Sequence, residues 1–300
     1  MSLLPAPSAT RTLGGKTVSS LAWGMWRFEG DDVAAAQSLI EAVLDTGITL
    51  FDTADIYGFN GQTGFGDAES LLGQVLKAAP SLRARMVLAT KGGIMPPRPY
   101  DQSRDYLMAA LDASLTRLGV DHVDLWQVHR PDVLTHPDDL ARTLEAMVAS
   151  GKVGAVGVSN FTTAQIAALK SCLTIPLTSI QPEFSALSIE PLETGLLDQA
   201  MMFGLSVLAW SPLGQGRIAH PTTKRELDVA DALDAVAKAQ GVSRTAAAYS
   251  WIMAHPAGII PIVGSQQAAR IAEAAEALTV RWTRTDWYAV LTASRQEPLP

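Results

Sequence analysis

Residues 122–158 read HVDLWQVHRPDVLTHPDDLARTLEAMVASGKVGAVGV, and this stretch decides the fold. His122–Val128 and Val153–Val158 are short runs rich in Val, Leu and Trp. They are too apolar for strands with one face in water and suit strands covered on both faces. Between them, Pro137–Ser150 places apolar residues at helical spacing and halts at Gly151, the residue type favoured just past a helix C-terminus. Strand, helix and strand in that order make one parallel unit. The same rhythm runs outward in both directions. Strands are predicted at Thr17–Trp23, Ile48–Asp52, Met86–Thr90, Leu177–Ile180, Leu205–Trp210 and Ile259–Val263. Leu107, Leu111, Ser114, Leu115 and Leu118 mark a helix with Ser103 as its N-cap and Gly119 as its stop. Further helices are predicted at Asp32–Thr46, Thr163–Ser171, Pro191–Phe203, Glu226–Gln240, Arg244–His255, Gln267–Leu278 and near Thr285–Arg295.

Eight strand–helix units in 300 residues, with no composition break to serve as a linker, predict an α/β protein. The expected architecture is one (β/α)8 TIM barrel, a single domain over residues 1–300. A doubly wound sheet is the alternative, but its G-x-G-x-x-G signature after the first strand is missing. Hydrophobic residues make up 48% of the chain and charged residues 18%, an ordinary globular balance. Lys and Arg number 23 against 30 Asp and Glu, a net charge of −7. That excess argues against nucleic-acid and polybasic membrane partners. Cys172 is the only cysteine, which excludes an intrachain disulfide and a Cys-based zinc site. No apolar run approaches the roughly 18 residues of a membrane span. The start MSLLPAPSAT has no basic, apolar signal pattern. The expectation is a soluble, cytoplasmic protein.

In such a barrel the active site forms at the C-terminal strand ends, and polar residues gather there. The second strand runs into Asp52, Asp55 and Tyr57, the third into Lys91, and the fourth into His129, Arg130 and Asp132. Ser159 and Asn160, then Gln181, Glu183 and Phe184, then Ser211, and finally Gly264, Ser265 and Gln266 follow the later strands. Any one of these has an ordinary explanation as a cap, turn former or solvated charge. Asp52, Tyr57, Lys91 and His129 together, at three adjacent strand ends, form a chemical set. An Asp keeps a buried Lys charged, and the ammonium acts to lower a neighbouring phenol's pKa toward the range of a general acid–base. A neutral imidazole can hold a carbonyl oxygen. The remaining histidines show no metal-ligand spacing, GVSNF is not a G-x-S-x-G elbow, and Trp126 and Trp210 read as strand core.

The segments FDTADIYG, ATKGG, QVHRPD, KVGAVGVSNF, QPEF, AWSPLG and IPIVGSQQAARIAE, in this order, resemble the aldo-keto reductase superfamily. The resemblance runs from about Leu13 to Leu278, with the later portion most similar to a bacterial branch of oxidoreductases. It implies Tyr57 as proton donor in carbonyl reduction, Lys91 and Asp52 as the groups that tune it, and His129 as the group that orients the carbonyl. It also implies a nicotinamide cofactor bound without a Rossmann domain, which accounts for the missing glycine signature. Ser159, Asn160 and Gln181 match residues that hydrogen-bond the carboxamide, and Phe184 matches an aromatic position that stacks on the nicotinamide. Ser211, Leu213 and Gly216 match the loop around the pyrophosphate. Gly24 and Trp26 match positions lining the nicotinamide and substrate pocket. Gly264, Ser265, Gln266, Arg270 and Glu273 match the segment around the adenosine 2′-phosphate and adenine. Gly264 stands where many members have Lys, and Ala274 where many have Asn. The Arg270 guanidinium can still pair with a phosphate, so NADP(H) is the expected cofactor, while the two departures leave NAD(H) use open; a small carbonyl or alcohol is the expected substrate. A cofactor-binding regulatory protein of the same fold, or an alcohol dehydrogenase running in the oxidative direction, would carry the same motifs. Neither the physiological substrate nor the oligomeric state is legible in the sequence.

Overall fold

A computed structural model describes residues 3–297. Its first element is a hairpin: β1 (Thr10–Leu13) pairs antiparallel with β2 (Lys16–Ser19), Leu13 opposite Lys16. The two turn residues, Gly14 and Gly15, have φ of 54° and 79°, the left-handed pair that a two-residue hairpin turn favours. Thr17–Trp23, expected as a single strand, is therefore two elements. Its first half turns back on β1, and the first barrel strand is only β3 (Ala22–Gly24).

The remaining strands are β4 (Leu50–Asp52), β5 (Val87–Gly92), β6 (Val123–Val128), β7 (Val153–Ser159), β8 (Leu177–Gln181), β9 (Ser206–Ala209) and β10 (Ile260–Val263). Strands β3 to β10 close into a parallel barrel in sequence order, with β10 pairing β3. Around them lie α1 (Val33–Asp45), α2 (Asp67–Ala78), α3 (Arg104–Leu118), α4 (Pro137–Ala149), α5 (Thr163–Cys172), α6 (Glu190–Glu193), α7 (Leu196–Phe203), α8 (Lys224–Gln240), α9 (Arg244–Met253), α10 (Ala268–Ala275) and α11 (Arg284–Arg295). Caps set their ends. Ser103 accepts from the Tyr106 amide, and Gly119 closes α3 at φ 65°. The Pro191–Phe203 helix breaks in two at Gly195, whose φ is 73°. No helix was predicted after the glycine-rich Gly58–Gly66 loop, and α2 occupies that position.

Period-two alternation sorts the barrel interior into layers. Leu50, Ala89, Leu125, Ala155, Leu208 and Ile260 form an apolar layer with Leu13 and Val18 of the hairpin packed beneath. A Cβ on Gly14 would lie 2.7 Å from that of Ala155, so the turn abuts the barrel floor closely. Burying the two hairpin side chains contributes on the order of 1.5–3 kcal/mol each. Two residues further along β4, β5 and β6 the interior turns polar, with Asp52, Lys91 and Gln127. The hairpin closes one end of the barrel, and the polar residues face the other.

Candidate active site

The polar layer is a connected network. The Lys91 ammonium, with no exposed surface, donates to Asp52 Oδ2 at 2.6 Å, to the Thr53 carbonyl at 2.9 Å and to Tyr57 Oη at 3.0 Å. All three of its protons are thereby placed. On the other side, Asp52 Oδ1 accepts from Gln181 Nε2 at 3.0 Å and from Gln127 Nε2 at 3.4 Å, and Ser179 Oγ donates to Gln127 Oε1 at 3.1 Å. Gly157 makes room for this arrangement, because a Cβ there would sit 2.0 Å from Ser179 Oγ. Gln127, Ser179 and Gly157 were not singled out in the sequence. Their signal, polar or glycine positions at interior register inside apolar strands, becomes readable only once the strand phase is known.

Tyr57, 8% exposed, reaches this network from the turn after β4. Its ring meets His129 edge-on with centroids 5.8 Å apart, and Trp26 at 5.2 Å and 90°. Trp26 is 61% exposed, so it forms an outer wall beside the phenol. The four residues expected to converge do so: Asp52, Lys91 and Tyr57 through hydrogen bonds, and His129 through ring contact.

Electrostatics assign protonation states. Burial acts to lower the Lys91 pKa, but Asp52 and Tyr57 outweigh it and hold the ammonium above its ordinary value. Burial raises Tyr57 above the ordinary phenol value, Lys91 opposing and Asp52 adding. The sequence had suggested a phenol tuned toward neutrality. Desolvation wins instead, and the resting group is a neutral phenol with a proton to give. Burial, then Lys91 and Arg130, push His129 well below the usual imidazole range. Its Nδ1 is buried without a hydrogen-bond partner among the described residues.

Other expected positions come together with qualifications. Ser159 Oγ donates to the Gln181 carbonyl at 2.8 Å, and Asn160 Nδ2 to Ser159 Oγ at 2.8 Å and to the His129 carbonyl at 3.1 Å. Ser159, Asn160 and Gln181 are thus adjacent, but largely engaged with one another and with Asp52. Phe184 has no exposed surface and packs against Trp251, centroids 5.9 Å apart. It offers no free face for stacking, which corrects the expectation. The aromatic ring at the rim is Trp210, just past the end of β9 and partly exposed, with Nε1 donating to Asn160 Oδ1 at 2.9 Å. Trp210, expected as strand core, lies beyond the strand. Gly24 is a glycine for packing: a Cβ would meet Ile262 Cγ2 at 2.6 Å.

A family model for the aldo/keto reductases matches residues 20–293. The chain belongs to the aldo/keto reductase family. It is 65% identical to a 6-dehydroglucose reductase of Novosphingobium aromaticivorans over the full length of both chains. It is 40% identical to a 6-dehydroglucose reductase of Agrobacterium fabrum, covering 92% of this chain and 94% of that protein. The structure of a glycerol dehydrogenase from Gluconobacter oxydans superposes with a TM-score of 0.83 at 25% identity, covering 97% and 98% of the two chains.

Members of this aldo/keto reductase family generally use NAD(P)H, and two parts of the rim suit a dinucleotide. After β9, Ser211, Gly214, Gln215 and Gly216 all have left-handed φ, from 49° to 92°, which curls the backbone in the manner of an anion-binding turn. After β10, open space surrounds the position a Cβ on Gly264 would take, and Gln266 Oε1 is buried without a partner among the described residues while its amide nitrogen donates to the Gly24 carbonyl. Ser265 holds this turn through Trp23 Nε1, which donates to its carbonyl at 2.9 Å. Arg270 on α10 is exposed, with no hydrogen bond or ion pair from its guanidinium among the described residues, and Glu273 lies one turn further. Leu213 is half-buried within the curled segment.

Proposed function

We propose that the protein is an NADP(H)-dependent reductase that converts the C6 aldehyde of 6-dehydroglucose to the alcohol, the whole chain working as one barrel domain. The observation that carries this reading is the Lys91 ammonium bonded at once to Asp52 and Tyr57 beneath an open rim. Full-length similarity to a reductase of that sugar supports the substrate.

When bound, a reduced nicotinamide supplies the hydride that goes to the carbonyl carbon. The residues of this chain manage the oxygen. His129, neutral because burial disfavours its cation, donates a ring N–H and orients the carbonyl. Tyr57 gives its phenolic proton to the oxygen as negative charge develops there. The Lys91 ammonium, 3.0 Å from Oη, stabilises the resulting phenolate, and Asp52 keeps that ammonium charged. Trp210 supplies an aromatic face at the rim, and Trp26 walls the substrate side. Arg270 and Ser265 would hold an adenosine phosphate, and Gly216 with its left-handed neighbours the pyrophosphate.

The test is NADPH oxidation followed by absorbance with 6-dehydroglucose, plain aldehydes and polyols as separate substrates. Rapid multiple turnover with the sugar aldehyde is expected. Tight NADPH binding without turnover on any carbonyl would refute the reading.

A further inference from the structure

We propose that Gln127 is a positioning residue for the reduction: held by Ser179, it aims an amide donor at Asp52 and keeps that carboxylate turned to Lys91. The inference rests on the reductase reading and adds to it the group that anchors the ion pair from inside the barrel. Gln127 lies on β6 two positions before His129 and has no exposed surface, which keeps it out of reach of a substrate. Asp52 receives donors on both oxygens. Oδ2 accepts from Lys91 at 2.6 Å, and Oδ1 accepts from Gln181 Nε2 at 3.0 Å and Gln127 Nε2 at 3.4 Å. Gln181 ends β8 next to Ser159 and Asn160, on the side proposed for the nicotinamide. Gln127 faces only the interior, and among the described residues its donor serves Asp52 alone.

Ser179 sets the direction of the amide. Its hydroxyl, also without exposed surface, donates to Gln127 Oε1 at 3.1 Å, which leaves Nε2 for the carboxylate. The reverse orientation would set Gln127 Oε1 against Asp52 Oδ1, two acceptors face to face in a buried interior. Gly157 on β7 gives the pair its space: a Cβ there would stand 2.0 Å from Ser179 Oγ and 3.2 Å from Gln127 Cγ. A bond of 3.4 Å is weak between neutral groups, but an amide dipole aimed at an anion acts over that distance where little solvent screens it. The titratable groups facing Asp52 are Lys91 from β5 and Tyr57 from the turn after β4, and the carboxylate acts to raise the pKa of both. His129 and Arg130 act on the site from the end of β6, and β8 brings only the neutral Gln181 and Ser179. Removing the Gln127 donor loosens the anion from Lys91, so the protons on Lys91 and Tyr57 leave at lower pH.

The experiment measures kcat and KM across pH, and NADPH affinity by fluorescence titration, for wild type, Gln127→Leu, Ser179→Ala and the double variant in the full chain. The aldehydes are 6-dehydroglucose and propanal, and melting temperature checks that each variant folds. In Gln127→Leu, kcat should fall roughly tenfold for both aldehydes. KM and NADPH affinity should stay within about twofold, since Gln127 acts through Asp52 on the reacting groups alone. The alkaline limb of the kcat profile, where the protons on Lys91 and Tyr57 are lost, should move to lower pH. Ser179→Ala should show a smaller change of the same kind, and the double variant should match Gln127→Leu, because Ser179 acts only through Gln127. Should Gln127→Leu not fold, the limb in Ser179→Ala decides: a shift to lower pH supports the inference and an unmoved limb overturns it. Wild-type kcat in Gln127→Leu, a loss of kcat with an unmoved limb, or losses that add in the double variant overturn it as well. So does a loss confined to KM or to NADPH affinity. A wild-type protein that binds NADPH and reduces neither aldehyde overturns the reductase reading and this inference with it, whereas full wild-type turnover with indifferent variants overturns the inference alone.

Discussion

Replacing Lys91 with Met separates charge from shape at the centre of the site. The side chain remains unbranched and apolar along most of its length, but three hydrogen bonds vanish together. Asp52, 2% exposed, keeps only the amide donors of Gln181 and Gln127. Breaking one partner out of a buried ion pair costs about 3–5 kcal/mol, a large share of the roughly 5–15 kcal/mol that stabilises a typical folded protein. Turnover should fall by about two to four orders of magnitude, because the phenolate formed on proton transfer loses its cation. The double variant Lys91→Met/Asp52→Asn removes the stranded charge as well. It should regain most of the stability and none of the activity, since the ammonium is still absent. Urea unfolding followed by circular dichroism gives the stability of each variant, and NADPH oxidation gives the rate. A single variant as stable as wild type, or a double variant no more stable than the single, would refute the argument that Asp52 depends on Lys91. Turnover within tenfold of wild type in the single variant would remove Lys91 from the chemistry.

Tyr57→Phe keeps the ring contacts with Trp26 and His129 and removes the proton, so kcat should drop by roughly 10²- to 10⁴-fold. NADPH affinity by fluorescence titration should stay within about twofold, since the phenol proton is needed only at the developing alkoxide; a comparable loss of affinity would assign Tyr57 to cofactor binding. Arg270→Ala should lower the ratio of NADPH to NADH affinity by about tenfold, a charge-assisted pair's worth, and Gly264→Lys, at a position with nothing within 4 Å of a Cβ, should raise it. Unchanged ratios would show that neither position faces the phosphate. Asp55 is buried, and burial, reinforced by Glu69, outweighs the Ile56 amide and the cations nearby and raises its pKa well above the ordinary 3.8. The unfolded chain releases this proton more readily than the folded one, so folding stability falls as pH rises from about 4 toward the raised folded value. Asp55→Asn should therefore gain in melting temperature relative to wild type across that window; a gap independent of pH would show that Asp55 is not held neutral.

How far the site was legible depends on which physical signal each residue leaves. Asp52, Lys91 and His129 stand at the ends of apolar strands, where a polar side chain has no reason to be unless the barrel mouth uses it. Phe184 shows the limit. An aromatic residue after β8 can face the rim or the helical layer, and only packing against Trp251 reveals that it is interior. Trp210 is the converse: the strand stops at Ala209, so a residue expected in the wall reaches the mouth. Thr17–Trp23 was expected as one strand because its apolar pattern is continuous. The left-handed turn at Gly14 and Gly15 folds its first half back as a plug.

By itself the sequence determined the alternation of buried strands and amphipathic helices, hence the parallel barrel, and the convergence of Asp52, Tyr57, Lys91 and His129 at one end of it. Those are consequences of periodicity and order along the chain, which local residue types record directly. Only the tertiary structure decided which groups are paired and which are free: Gln181 turned toward Asp52, Asp132 drawn into its own loop, Arg130 left open over Trp210. Pairing depends on distances between side chains far apart in sequence and on the water each loses. It decided the protonation states too, because the burial that keeps Tyr57 a neutral phenol and His129 a neutral imidazole belongs to the packed barrel and to no residue alone.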